Sequence, residues 1–165
     1  MIVMSKYLVA CLASVLLFLS GGLTASAEGL HREEVLSLVH DAMENQGSIS
    51  EEVRSKEAIE RQLDKHFTGD FIEKFVQANV VKVEGGYTAF GSDFAPYYIP
   101  FFSYDKNTEI VYGKSGDVIY VQEEFQDNGD GPVSMEKHVE AVTLKKENGA
   151  WKVTDVKYEK YENRK

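Results

Sequence analysis

The hydrophobic period of this chain changes once, at Gly85-Gly86, and that change limits the fold more than any other feature. Before it, apolar residues recur every three or four positions. After it they alternate, or run in short β-branched and aromatic stretches closed by turn residues. A helical half followed by a strand-rich half, with no repeat and no low-complexity linker, is the order of an α+β domain. Its helices would pack on one face of an antiparallel sheet.

In the first half, Leu30, Val35, Leu36, Leu38, Val39, Ala42 and Met43 fall at helical spacing and predict a helix over 30–46, ending near Gln46-Gly47. A polar break follows, with Ile49 and Val53 its apolar anchors. Ser55 is placed to cap a second helix over 56–66, whose buried edge is Ile59, Leu63 and Phe67, with Glu57 and Arg61 as a well-oriented i, i+4 pair. Thr68 is placed to cap a third over 69–80, with Phe71, Ile72, Phe75 and Val76 inward. In the second half, Tyr87–Phe90, Glu109–Tyr112, Val118–Phe125, Glu136–Lys146 and Trp151–Tyr161 read as strands. Asn148-Gly149 between the last two is a two-residue hairpin turn of the primed type.

The N-terminus is read as an address. Lys6 gives a short positive region, Tyr7–Leu19 an apolar run of 13, and Ala25-Ser26-Ala27 a cleavage site before Glu28. A span needs roughly 20 apolar residues, so 1–27 is expected to be a signal peptide and 28–165 one secreted domain with no membrane association after cleavage. Leu8-Val9-Ala10-Cys11 matches a lipobox. A lipid anchor at Cys11 is the less favoured reading, because the apolar run continues beyond the Cys. Cleavage removes Cys11, the single cysteine, so the core alone must hold the domain, as suits a bacterial exoprotein. It also removes Lys6, leaving 17 positive against 27 negative groups, a net charge of −10. That charge argues against nucleic acid and against electrostatic docking on anionic lipid.

Two stretches carry a resemblance. The ending Val142-Thr143-Leu144-Lys145-Lys146-Glu147-Asn148-Gly149-Ala150-Trp151-Lys152-Val153 resembles the closing hairpin of nuclear transport factor 2-like domains. That ending and the run Ile59 to Val80 together resemble an uncharacterised family of secreted proteins from Gram-positive spore-forming bacteria. The resemblance implies three helices on a curved antiparallel sheet forming a cone, and a compartment; it implies no activity.

Aromatic density is the most unusual local feature. Tyr87, Phe90, Phe94, Tyr97, Tyr98, Phe101, Phe102 and Tyr104 are 8 of the 17 aromatic residues of 28–165, held within 18 positions and stiffened by Pro96 and Pro100. They read as a binding surface for a small apolar ligand or a protein partner, or else as the plug of the cone. His138 and Glu140 share a face of a strand and could act as base and orienter in a cone pocket, with Asp155 a further acid. The plainer readings put the pair on a solvated face and Asp155 at a bulge or a solvent-facing edge. His31, His40 and His66 lack a second histidine at metal spacing and read as surface or capping residues, His66 as a cation at a helix end. The Gln126–Gly131 loop fails the calcium register at positions one and twelve. No metal and no cofactor is expected. The leading expectation is a secreted non-enzymatic binding domain. A lyase- or isomerase-like enzyme and a homodimerising structural module are the alternatives.

Overall fold

The structure, a computed structural model, describes residues 29–91, 95–126 and 136–160. The expected signal segment with Cys11, Ala25, Ala27 and Glu28, the ring of Phe94 and the calcium-like loop from Asp127 onward lie outside them.

Helix α1 spans Arg32–Gly47 and opens with Glu33 and Glu34 in its first turn, where acidic groups suit the helix dipole. The Glu34 carboxylate accepts from the His31 backbone N–H at 2.7 Å, so His31 sits at the cap. Helix α2 spans Lys56–Leu63, and the Ser55 hydroxyl caps it by accepting from the Ala58 N–H at 3.2 Å. The helix stops three residues before the expected end for a reason in the backbone. The His66 carbonyl accepts from the Val153 N–H at 2.7 Å, and the Thr68 N–H donates to the Val153 carbonyl at 3.0 Å. Extended pairing with a strand at Phe67 is incompatible with a continuing helix.

Helix α3 spans Gly69–Asn79 with Phe71, Ile72, Phe75, Val76 and Asn79 buried. Thr68 occupies the N-cap position but its side chain makes no cap hydrogen bond; the hydroxyl is buried without a partner among the described residues. Val80, the last residue of the expected helix, turns extended and begins β1 (Val80–Val83), a strand that the sequence pattern does not predict. It pairs antiparallel with β2 (Gly86–Ala89), so the Tyr87 strand belongs to a hairpin of its own rather than to the main sheet. Tyr87 also exchanges both backbone hydrogen bonds with Arg54, at 2.9 and 2.7 Å. A Cβ on Gly86 would lie 2.5 Å from the Arg54 carbonyl oxygen, so this docking requires glycine.

The main sheet is an antiparallel meander in the order β3 (Glu109–Tyr112), β4 (Val118–Phe125), β5 (His138–Glu147), β6 (Ala150–Lys160). Asn148 and Gly149 both have positive φ, as the primed hairpin turn demands. One face carries Ile119, Val121, Val142, Leu144 and Val153, each at most 1% exposed. These join Val35, Val39, Ile59, Leu63, Phe67, Phe71 and Phe75 in the core. Each such side chain contributes about 1.5–3 kcal/mol by leaving water. On the other face Val111 and Tyr120, cross-strand partners, stay 47% and 42% exposed. The architecture of the described residues is therefore α+β, with three α-helices and antiparallel sheets. No helix among the described residues is long and apolar enough to cross a membrane.

Candidate recognition site

The aromatic stretch divides into rings that fill the core and rings that do not. Tyr97 meets Phe71 edge-on at 6.2 Å and Tyr98 meets Phe75 at 5.1 Å. Phe102 is 5% exposed and stacks on Phe125 at 6.4 Å. Tyr104 meets Phe102 and His40 edge-on, and its hydroxyl donates to the Met43 Sδ at 3.7 Å. Burial, with Glu123 and then Glu44 nearby, pushes the Tyr104 phenol up to about 12. Burial likewise raises Tyr98. Tyr87 is half-buried. Of the expected ligand-binding rings that are described, Phe90 and Phe101 alone are largely exposed, at 68% and 83%. Among its described rings the segment is thus a core element with two external ones, because Tyr97, Tyr98, Phe102 and Tyr104 find aromatic neighbours on α1, α3, β4 and each other.

Three buried polar side chains hold its backbone. Gln46, 1% exposed at the end of α1, donates to the Tyr97 carbonyl at 2.8 Å and accepts from the Ile99 N–H at 2.9 Å. Asn79, at the end of α3, donates to the Pro96 carbonyl at 2.9 Å. Glu123 on β4, 8% exposed, accepts from the Ser103 N–H at 2.9 Å and from the Ser103 and Thr108 hydroxyls at 3.1 and 2.7 Å. From outside, Arg32 donates to the carbonyls of Asp105 and Thr108. This clamping sustains positive φ at Tyr97 (68°) and Tyr104 (55°), a conformation that costs bulky residues about 1–3 kcal/mol each. Between them the Phe102 N–H donates to the Pro100 carbonyl at 2.9 Å, a three-residue turn with Phe101 at its tip. Pro100 and Phe102 are buried on either side, so Phe101 projects from a fixed base.

Sequence reasoning missed Gln46, Asn79 and Glu123. The signal was available: each is a polar residue on a stripe of otherwise apolar positions (Val35, Val39, Ala42, Gln46; Ile72, Phe75, Val76, Asn79; Ile119, Val121, Glu123). A buried polar group implies a hydrogen-bonded partner.

His138 is 2% exposed and faces the core side, not solvent. Its ring lies between Tyr158 at 4.4 Å and Phe125 at 5.5 Å, its Nε2 is 3.0 Å from Glu140 Oε1, and its Nδ1 is 2.8 Å from the Glu136 carbonyl. The solvated-face expectation for the pair is corrected: strand parity places them with Val142 and Leu144. Asp155 does not join them. It pairs in register with Thr143 on the opposite face and lies 3.7 Å from Lys157. A bulge next to it leaves Thr154 unopposed, between Leu144–Val153 and Thr143–Asp155.

His66 lies in the turn after α2 rather than in its last turn, and burial lowers its pKa, contrary to the expected helix-end cation. His40, Asp41 and Glu44 gather on the exposed side of α1, with ligand atoms within 4.8 Å of one another. Two open grooves flank the helices. One of about 880 Å³ runs between α2 and α3 and includes Tyr87; the other, about 570 Å³, lies beside Leu38, His66 and Trp151. Neither is lined by His138 or Glu140.

A family model described as a protein of unknown function (DUF3993) matches residues 31–125, from the cap of α1 to the end of β4. The match takes in the whole aromatic segment and its three clamps. No curated protein and no solved structure matches the chain significantly.

Proposed function

This chain belongs to the DUF3993 family, whose description assigns no activity, and from that premise we propose that it is a secreted, non-enzymatic recognition domain that captures a protein partner through Phe101. One observation carries the reading: an aromatic ring 83% exposed at the tip of a turn, with Pro100 and Phe102 buried on either side and the next residues out, Ile99 and Ser103, held by Gln46 and Glu123. Leaving such a ring in water forgoes about 1.5–3 kcal/mol of burial, and a partner pocket recovers it. Because the turn is rigid before binding, little ordering cost offsets that gain. Aromatic anchors of this kind concentrate binding energy at interfaces.

The core side chains of the main sheet fill the face that a nuclear transport factor 2-like cone would offer to a small ligand, which favours a partner outside the fold. We keep that cone as the frame of the proposal, with residues 1–27 removed on export from a Gram-positive spore-forming cell. An enzyme using His138 finds less support, since both ring faces are covered and both nitrogens are engaged.

The test is capture on immobilised domain 28–165 from the producing cell's extracellular fraction, with wild type and Phe101→Ala side by side. The proposal expects a defined protein retained by wild type and lost with Phe101→Ala at unchanged melting temperature. Identical retention by both would reject it.

A further inference from the structure

Both ring nitrogens of His138 face oxygen acceptors. Nδ1 meets a backbone carbonyl that can only accept, so a hydrogen bond there requires a hydrogen on Nδ1. Nε2 meets the Glu140 carboxylate, and a hydrogen must lie between these two atoms as well. For both contacts to be hydrogen bonds at once, the pair must hold one proton more than a neutral imidazole facing a carboxylate, whichever of the two groups carries it. The surroundings suit it. Glu123 is the cross-strand partner of Glu140, and Glu136 lies at the foot of β5. Lys160 is the cross-strand partner of His138 and sits 3.5 Å from the Glu136 carboxylate. On the outward face Lys137 pairs with Glu124, and Glu159 lies opposite Val139. Tyr158 and Phe125 cover the ring with π-faces, which favour a cation.

This cluster connects to the recognition turn by direct packing. His138 stacks on Phe125, Phe125 stacks on Phe102, and Phe102 is the buried residue that closes the turn behind Phe101. Glu123, two residues before Phe125 on β4, fixes the next residue, Ser103. We propose that the His138–Glu140 pair is a proton-dependent clasp that sets the presentation of Phe101. With the proton present, both hydrogen bonds form and the stack is fixed. As pH rises and the proton leaves, one of the two bonds is lost, the imidazole is free to turn, and Phe125 and Phe102 lose their backing. The significance for binding rests on the recognition reading above; the clasp itself does not.

The experiment is NMR on the whole domain 28–165 from about pH 5 to about pH 8, the range in which imidazoles titrate. It follows the His138 ring nitrogens and the ring resonances of Phe102 and Phe125. The expected result is both His138 nitrogens proton-bearing at the acid end, with Phe102 and Phe125 shifting at the same midpoint as the His138 transition. His138→Phe keeps the stack but has no proton to lose, and should abolish the shift. Should His138→Phe fail to fold, Glu140→Gln provides the second variant and should displace the midpoint. One bare His138 nitrogen across the whole range would overturn the proposal. So would a His138 transition during which Phe102 and Phe125 stay still. Partner capture fails independently: if Phe101→Ala retains its partner while the coupled shift persists, the clasp stands and the recognition reading falls.

Discussion

At the scale of single residues, buried polar groups determine where the aromatic segment lies. Replacing Gln46 by Leu preserves the bulk in α1 but leaves the Tyr97 carbonyl and the Ile99 N–H without partners. A loss of about 1–3 kcal/mol is expected, measurable by denaturant unfolding. An effect below about 0.5 kcal/mol would mean the clamp is ornamental.

Two titrations carry opposite signs. Burial lowers His66, so between its folded value and the ordinary 6.5 the unfolded chain binds more protons, and stability falls as pH drops through that window. His66→Gln should flatten that slope relative to wild type. Tyr104 is pushed up to about 12, so above about pH 10 the unfolded chain loses its phenolic proton first and stability falls as pH rises toward 12. Tyr104→Phe should remove that alkaline loss, and a matching loss in the variant would assign it elsewhere.

At the scale of elements, the contrast between neighbours is the sharpest expectation. Phe102→Ala empties a core position that touches Phe125 and Tyr104, and should cost about 3–5 kcal/mol. Phe101→Ala, one residue away, should stay within about 0.5 kcal/mol of wild type. Thermal or denaturant melts of the two variants decide this, and equal losses would contradict the division of the segment. Sequence could not make that division. Adjacent rings such as Phe101-Phe102 present the same hydrophobicity, and which one turns inward depends on a γ-turn set by backbone contacts from Gln46 and Glu123, 55 and 22 residues from Phe101 in sequence. The strands were legible because they obey local rules: β3 and β4 fall where alternation puts them, and Asn148-Gly149 takes the two positive φ values that its residues favour. Local reasoning missed β1 although three of the four residues Val80-Val81-Lys82-Val83 are β-branched, since the apolar spacing of α3 continues smoothly into Val80. It also extended α2 to His66, where a tertiary pairing with Val153 overrides helix propensity.

At the scale of the whole molecule, the fold class follows from the change of period at residue 85, whereas the candidate site emerges only once distant parts meet. Phe101 comes from the irregular stretch, Gln46 from the end of α1, Glu123 from β4 and His138 from β5. The charge pattern adds a consequence for association. Residues 28–165 carry a net −10, so capture of a complementary basic partner would be steered electrostatically, and its on-rate should fall with added salt more than its off-rate changes. The outer face of the sheet, with Val111 and Tyr120, offers a separate surface that a homodimerising module would use.

A photoreactive benzoylphenylalanine placed at position 101, with a second variant carrying it at position 120, separates these surfaces in one measurement. Illumination in the producing cell's extracellular fraction should give a discrete adduct to another protein from position 101 and none from position 120. Adducts between two copies of the domain from position 120, with nothing from position 101, would contradict the assignment of Phe101 as the recognition element.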